Sequence, residues 1–161
     1  MHELFIKAKL ENLDTVLDFV STHIGDCPQK IQNQINLVVD EIFSNIAKYC
    51  YNDIPTCSAR ACLCAEMQIE NPLFESTEAS YGTTDCDVTV RIVIDEDIVI
   101  EFEDKGVPYN PLKSGDPDIT SSTEEREIGG LGIFLVKKLM DTVEYTRIND
   151  KNVLVIKKKI L

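Results

Sequence analysis

The sequence predicts an α+β domain, a two-layer sandwich in which helices cover one face of a mixed β-sheet. Segments that alternate apolar and polar residues come mostly in hairpin pairs, and segments with helical spacing are grouped rather than strictly alternating with strands. The 161 residues suit one domain, and a hydrophobic content of 43% is enough to bury a core. We therefore expect residues 1–161 to form a single domain.

The first third of the chain predicts one strand and two helices. Residues Glu3–Leu10 alternate apolar and polar side chains, as a half-buried strand does. Residues Glu11–Ile24 repeat apolar side chains at helical spacing and are followed by Gly25, a common helix stop. Pro28 suits the start of a second helix, which we expect to run to about Tyr51.

The middle of the chain is irregular and rich in proline, serine and threonine between Asp53 and Asp85. We interpret it as an insertion at about residues 53–86 that contains at most a short strand within Ala61–Ile69. Loops accept insertions readily, so we favour an insertion that is tolerated without a function of its own. A partner-specific surface stays the alternative.

Six cysteines are present, and four of them fall between Cys57 and Cys86. No signal peptide is recognised, so we expect a cytoplasmic protein with reduced thiols. The gaps of four, one and twenty-one residues contain no CxxC pair, which disfavours a structural zinc site. A thiol- or metal-dependent sensor built on this cluster stays the last alternative.

The second half begins with an antiparallel hairpin. Residues Val88–Ile94 and Ile98–Phe102 both alternate, and an acidic turn joins them. A long polar loop then runs from Gly106 to Arg126, and loops of that length are usually functional lids or disordered.

One helix and two strands complete the chain. The helix is predicted at Leu131–Asp141, where glycines precede an apolar run. The strands Val143–Ile148 and Val153–Ile160 face each other across an expected turn at Asn149–Asn152.

The charge balance limits the partners. Sixteen Lys and Arg against twenty-eight Asp and Glu give a net charge of −12, which argues against nucleic acid or an anionic membrane as the main partner. No apolar run reaches the roughly 18 residues of a transmembrane helix. A phosphate-bearing ligand would have to be held without a general excess of positive charge.

The second predicted helix carries a polar stripe opposite its apolar face, formed by Glu41, Asn45 and Lys48. Most such stripes are simply solvated. Alternatively, Glu41 acts as a general base, Asn45 offers a neutral oxygen to Mg²⁺, and Lys48 approaches a phosphate. Helical spacing alone leaves both interpretations open.

Two glycine segments favour a ligand. Asp104 ends a strand and precedes Gly106 by two residues, so its carboxylate can accept a hydrogen bond from a base amino group while the glycine allows close approach. A lone DxG is more often a plain turn. Residues Gly129–Gly132 open a helix whose backbone N–H groups can hold phosphates, although a flexible hinge would look the same. Neither a P-loop nor a dinucleotide GxGxxG motif is present.

In this order the segments resemble the ATP-binding domain of the GHKL superfamily, which includes gyrase B, heat-shock chaperones, histidine kinases and MutL. The asparagine box is matched by Leu37–Asn45, the first glycine box by Asp104–Gly106 and the second by Gly130–Gly132. The resemblance covers nearly the whole chain outside residues 53–86 and implies a Bergerat-type ATP-binding fold.

A closer resemblance is to the small stand-alone branch, the bacterial anti-sigma regulatory factors that are serine/threonine protein kinases. It is carried by Asp104–Pro111, by Glu125–Gly132, and by Leu139–Asp141 with Val143 and Tyr145.

The resemblance implies a role for each matching residue. Glu41 would be the catalytic base, and Asn45 would ligate Mg²⁺. Asp104 would bind the adenine amino group beside Gly106, without the threonine that larger members use there. The implied phosphate-binding residues are Gly129, Gly130, Leu131, Gly132 and Ile133, with Arg126 and Lys48 as candidates for charge neutralisation. Residues Val107–Ile128 would form a mobile ATP lid.

The implied function is an ATP- and Mg²⁺-dependent protein serine/threonine kinase of the anti-sigma type. Its partners would be a sigma factor and an antagonist protein, and it would act as a homodimer. A non-catalytic, nucleotide-gated binding module with the same ATP site is the main alternative. A detached catalytic domain of a histidine kinase is disfavoured because no phospho-accepting helical hairpin precedes the domain.

Overall fold

In the computed structural model, five strands form one sheet in the order β1-β2-β3-β5-β4. The structure describes residues 1–50, 86–113 and 131–160. The strands are β1 (His2–Lys7), β2 (Asp87–Ile94), β3 (Asp97–Asp104), β4 (Thr142–Ile148) and β5 (Lys151–Lys159). The helices are α1 (Leu13–Ile24), α2 (Gln29–Tyr49) and α3 (Leu131–Leu139), with short 3-10 turns at Leu10–Asn12 and Pro111–Lys113.

The α+β class is confirmed, but the sheet is not mixed: every pairing among the described strands is antiparallel. Two helices separate β1 from β2, so the chain returns beside β1 in the opposite direction. Strands β3 and β4 run the same way, yet β5 lies between them and pairs with both. The order of the strands therefore removes the parallel contact that we expected.

The core lies between the sheet and the helices. In β3, Ile98, Ile100 and Phe102 are buried at alternate positions, as the period of two predicts. Helix α2 packs Ile35 and Phe43, among other apolar side chains, against them. Asp104 follows in the same alternation, so this carboxyl group lies on the covered face of the sheet.

The last hairpin is tighter than predicted. Ile148 pairs with Lys151, which leaves Asn149 and Asp150 as a two-residue turn with φ values of 50° and 61°. Such a turn requires positive φ at both residues, and Asn and Asp tolerate it. Asn152 therefore belongs to β5 and not to the turn.

Several predictions fall outside the described residues. They concern insertion residues 53–85, the short strand within Ala61–Ile69, and most of the lid at Val107–Ile128. The assignment of residues 1–161 to one domain stays a prediction. None of the described helices combines the length and the apolar character that crossing a membrane requires.

The prediction of reduced thiols is wrong for two cysteines, because Cys50 and Cys86 form a disulfide. Cys50 directly follows α2, and Cys86 directly precedes β2. Their Cα atoms are 5.9 Å apart, within the usual range for disulfides. Cys27 is buried and unbonded. The remaining three cysteines lie outside the described residues.

Candidate functional site

A cleft lies between α2, the ends of β3 and β5 that carry Asp104 and Asn152, and the start of α3. It encloses about 490 Å³ of empty space, part of which is open solvent at its mouth. Its lining is mostly apolar, with a few polar groups. The described lining residues are Ile42, Asn45, Ile46, Tyr49, Cys50, Asp104, Gly106, Val107, Tyr109, Pro111, Ile133, Tyr145, Asn152 and Leu154.

Asp104 is the buried carboxyl group of the cleft, with 7% of its surface exposed. Its Oδ1 accepts hydrogen bonds from the backbone N–H of Gly106 at 2.7 Å and from Nδ2 of Asn152 at 2.9 Å. Burial raises the pKa of this carboxyl group, and these two hydrogen bonds with the nearby Arg147 charge offset part of that rise. Among the described residues, all its hydrogen bonds end on Oδ1, which leaves Oδ2 to accept from a ligand.

Asn152 fixes the position of Asp104. Its Oδ1 accepts hydrogen bonds from the Tyr145 hydroxyl at 2.8 Å and from Nη1 of Arg147 at 2.7 Å. A guanidinium can only donate, so the amide oxygen must face Arg147 and the amide nitrogen must face the other way. That nitrogen donates to Asp104 and to the carbonyl of Val107 at 3.0 Å. This network therefore defines which Asp104 oxygen stays available.

Asn152 was not predicted as a site residue, although its place in the sequence carries a signal. Asn152, Leu154 and Ile156 alternate on the covered face of β5. A polar residue in phase with buried apolar ones indicates a buried, hydrogen-bonded group. The expected turn at Asn149–Asn152 concealed this alternation. Asn152 thus provides the polar partner beside Asp104 for which the sequence offered no obvious candidate.

Gly106 permits the close approach of the backbone to Asp104. A Cβ at this position would lie 2.8 Å from Oδ1 of Asp104 and 2.9 Å from Sγ of Cys50. Any larger residue would push these two groups away from the cleft wall.

Helix α2 brings part of its predicted polar stripe to the site. Asn45 is half-buried in the cleft lining, and its side chain makes no hydrogen bond with the described residues. Glu41, one turn earlier, lies against Gly132, where an added Cβ would overlap its Oε2 atom. Lys48 is exposed and does not line the described cleft, so this end of the stripe matches the solvated interpretation.

Tyr49 takes the lining position next to Lys48. Its ring stacks on Tyr109 with the ring centroids 5.3 Å apart. Both side chains line the cleft and are about two-fifths exposed, at 42% and 40%. The pair therefore forms an aromatic wall at the edge of the cleft.

Helix α3 begins at Leu131, and its residue Ile133 is buried in the cleft lining. The first backbone N–H groups of a helix have no intrahelical acceptor, and the helix dipole favours an anion beside them. Glu41 lies at this end of α3. Arg126, Gly129 and Gly130 fall outside the described residues, so their roles stay predictions.

The model of the histidine kinase-like ATPase domain family matches residues 6–158. The chain belongs to this family. The match confirms the resemblance to GHKL ATPases and identifies the chain as an ATP-binding domain at the level of the family. A comparison with curated proteins finds no match.

Several solved structures match this histidine kinase-like ATPase domain, and one of them shows its likeness in fold. It is the crystal structure of the RsbU and RsbW domains of Rv1364c from Mycobacterium tuberculosis, with a TM-score of 0.51 at 11% identity. The similarity covers 99% of this chain and 33% of that one, so this chain spans about a third of its length.

Proposed function

We propose that this chain is a cytoplasmic, homodimeric serine/threonine protein kinase of the anti-sigma type. It uses ATP with Mg²⁺ to phosphorylate an antagonist protein and sequesters a sigma factor in a partner switch. The family match over residues 6–158 and the fold likeness to a chain that carries an RsbW domain support this proposal. The observation that carries it is the buried carboxyl group of Asp104 in a cleft lined by α2, with Glu41 of the same helix lying beside Gly132 at the start of α3.

The length of α2 gives the separation of these two groups along the helix axis. Cys50, directly after the helix, has its sulfur 3.7 Å from Asp104 Oδ1, whereas Glu41 reaches Gly132. Nine residues at 1.5 Å each separate Glu41 from Cys50, which is about 14 Å along the axis. In this proposal an extended nucleoside triphosphate lies along α2, with its base at Asp104 and its terminal phosphate near Glu41.

Asp104 gives the base end its selectivity. The ionised carboxylate can only accept hydrogen bonds, and its Oδ2 suits the amino group of adenine. Guanine carries an acceptor at that position and would face the carboxylate with like polarity. Apolar side chains such as Ile42 and Leu154 would cover the base.

The residues at the other end fit Mg²⁺ and phosphates. Mg²⁺ prefers hard oxygen ligands and takes few from the protein when phosphates supply the others, so the Asn45 carbonyl suits it. When bound, Mg²⁺ neutralises charge on the phosphates. Backbone groups from Gly129 to Ile133 would contact the phosphates, while Arg126 would add positive charge.

Glu41 would act as the base. Its carboxylate accepts the proton of a serine or threonine hydroxyl while the hydroxyl oxygen bonds to the γ-phosphorus. The bond from that phosphorus to the oxygen bridging to the β-phosphate breaks, and ADP leaves. The contact of Glu41 with Gly132 supports this role, because Gly132 belongs to the segment that would hold the phosphates.

The adenine site is tested with Asp104→Asn. Gly106 N–H and Asn152 Nδ2 both donate to Oδ1, so the introduced amide must keep its oxygen there and present its NH₂ group to the cleft. Calorimetry should find ATP binding at least about tenfold weaker, a loss of roughly 1.4 kcal/mol, and inosine triphosphate gaining relative to ATP. Unchanged ATP affinity would show that the base binds elsewhere.

The kinase activity is tested with labelled ATP and candidate antagonist proteins. Glu41→Gln should lower phosphate transfer by about 100-fold or more, with ATP affinity nearly unchanged. Glu144→Gln, on the outer face of β4, is the matched control and should transfer phosphate like the wild type. No transfer by the wild type, combined with ATP-dependent partner binding, would instead establish the non-catalytic module.

A further inference from the structure

We propose that Cys50 and Cys86 form a reversible thiol–disulfide switch that sets the ATP affinity of the cleft, an inference that rests on the proposed ATP site. The disulfide closes at the base-binding end, beside Asp104, rather than at a distant surface. Neither cysteine is used by the proposed phosphoryl transfer.

Cys50 is itself part of the cleft wall. Its sulfur lies 3.7 Å from Oδ1 of Asp104 and 2.9 Å from the point that a Gly106 Cβ would occupy. A displacement of this sulfur by even an ångström therefore changes the space and the polarity next to the carboxylate that would bind adenine.

The disulfide joins one wall of the cleft to the strand that pairs with the Asp104 strand. Cys50 directly follows the helix that carries Asn45 and Tyr49, while Cys86 leads into β2, whose Val88 pairs with Asp104 of β3. The carbonyl of Cys86 accepts a hydrogen bond from Ala8 N–H at 2.8 Å, so the sheet holds this end firmly. Oxidation thus fixes the last turn of α2 against the sheet.

Reduction releases that restraint. Two unbonded sulfur atoms must stand farther apart than two bonded ones, because van der Waals repulsion replaces the covalent bond. Since Cys86 is held by the sheet, the end of α2 is the part that shifts, and it carries cleft residues with it. A preorganised site binds its ligand more tightly, so the oxidised form should have the higher ATP affinity.

The interconversion is an ordinary thiol–disulfide exchange with a low-molecular-weight disulfide such as oxidised glutathione. One protein thiolate attacks a glutathione sulfur and releases one glutathione; the second protein thiolate then displaces the other. The two protein thiols lose two electrons and two protons, and two glutathione thiols form. Cys50 is half-buried and Cys86 only 6% exposed, so Cys50 is the sulfur that meets glutathione.

Nucleotide binding and thiol–disulfide exchange at Cys50 and Cys86 affect each other. Cys50 lines the cleft, so a bound nucleotide limits access to its sulfur. Linkage also requires that ATP stabilise the disulfide by the same factor by which the disulfide strengthens ATP binding. A fivefold difference in affinity corresponds to a shift of about 20 mV in the reduction potential, at 29.6 mV per tenfold change.

The test uses a chain that keeps only Cys50 and Cys86, with Cys27→Ala and with Cys57, Cys62 and Cys64 replaced by serine. The protein is equilibrated in glutathione buffers and alkylated, and mass spectrometry then measures the fraction that contains the disulfide. Calorimetric titration with ATP and Mg²⁺ gives the affinity in each buffer. The oxidised form should bind ATP at least about fivefold more tightly, and saturating ATP should lower the reduction potential accordingly.

Matched variants separate the outcomes. Cys50→Ser and Cys86→Ser in this background should each show one ATP affinity in both buffers, while the single variant Cys27→Ala keeps the response. Equal affinities with the disulfide confirmed by mass would overturn the switch and leave the ATP site intact. Absence of ATP binding in both redox states would overturn the proposed function and the switch together.

Metal binding is the alternative role for these two cysteines, because ligand atoms of Cys50, Cys86 and Asp104 lie within 4.8 Å of one another. One stoichiometric zinc per reduced chain after purification, measured by atomic emission, would therefore overturn the switch. We expect no such zinc, and the same reduced sample should return to the disulfide form in oxidised glutathione.

Discussion

Two opposing effects act on the carboxyl group of Asp104. Burial favours the neutral acid, while hydrogen bonds from Asn152 and Gly106 and the charge of Arg147 favour the carboxylate. Burial is the larger effect, so the pKa of Asp104 in the folded protein lies above its usual range. The ionised carboxylate therefore opposes folding: stability falls as pH rises from the unfolded pKa through the folded pKa.

This shift predicts how ATP binding responds to acid. Because only the ionised carboxylate accepts the adenine amino group, affinity should decline as pH falls toward the raised pKa of Asp104, at a higher pH than an ordinary aspartate near 3.9 would cause. Calorimetric titrations from pH 8 down to pH 5 measure this decline. The variant Asp104→Asn should show a weaker affinity that is much less sensitive to pH; an equally steep profile would mean that another group is responsible.

A second residue-level prediction concerns two glycines. In Gly132→Ala the new methyl group would overlap the Glu41 carboxylate at the start of α3, so ATP should bind about tenfold more weakly while the fold persists. Gly25→Ala is the control. Gly25 has φ +63° and ψ −146°, a conformation that non-glycine residues rarely adopt, and nothing lies within 4 Å of an added Cβ, so alanine there costs about 1–3 kcal/mol of backbone strain without touching the cleft.

Calorimetry and denaturant unfolding together measure both effects. The two variants should show opposite patterns, with affinity lost in Gly132→Ala and stability lost in Gly25→Ala. Normal ATP affinity in Gly132→Ala would place the phosphates away from the start of α3.

At the scale of elements, β3 and β5 present their polar residues as a cross-strand pair. Asp104 pairs with Asn152 at the end of an otherwise apolar ladder on the covered face. The strands thereby supply both the acceptor for a base and the donor that orients it. A rigid sheet keeps this geometry more exactly than a loop would.

The variant Asn152→Ala tests this pair. It would leave Asp104, Tyr145 and Arg147 without their shared partner, and we expect a loss of about 2 kcal/mol in the free energy of unfolding. Since the Asn152 hydrogen bond lowers the pKa of Asp104, the decline of ATP binding should also move to higher pH. Tyr145→Phe removes one donor only and should lose about 1 kcal/mol or less. Equal stability in Asn152→Ala and the wild type would contradict the role of the network.

For the whole molecule, the net charge of −12 and a phosphate ligand are compatible. Helix N-termini and backbone N–H groups attract anions without a basic surface, and Mg²⁺ supplies further charge. In the proposal, the acidic surface outside the cleft faces protein partners instead.

Ligand linkage gives the prediction at this scale. ATP with Mg²⁺ at about 100 times its Kd should add about 2.7 kcal/mol to stability, and so raise Tm by roughly 5–10 °C in a chain of this size. Differential scanning fluorimetry measures the shift. Asp104→Asn at the same ligand concentrations should show a clearly smaller rise, and a wild type that does not respond would contradict ATP binding.

The sequence alone determined the features that local spacing encodes. Alternation in β3, helical periodicity in α2, and the ordered segments Leu37–Asn45, Asp104–Gly106 and Gly130–Gly132 predicted the α+β class and the family. These patterns reach only a few residues along the chain, and each follows from the geometry of one helix, strand or turn.

Tertiary structure alone decided the contacts between distant residues. The bond from Asn152 to Asp104 spans 48 positions, and the disulfide of Cys50 with Cys86 spans 36. Two further features depend on tertiary contacts in the same way. Tyr49, and not Lys48, lines the cleft, and β5 lies between β3 and β4. No local spacing encodes them, because each depends on which faces of separate elements meet when the helices pack onto the sheet.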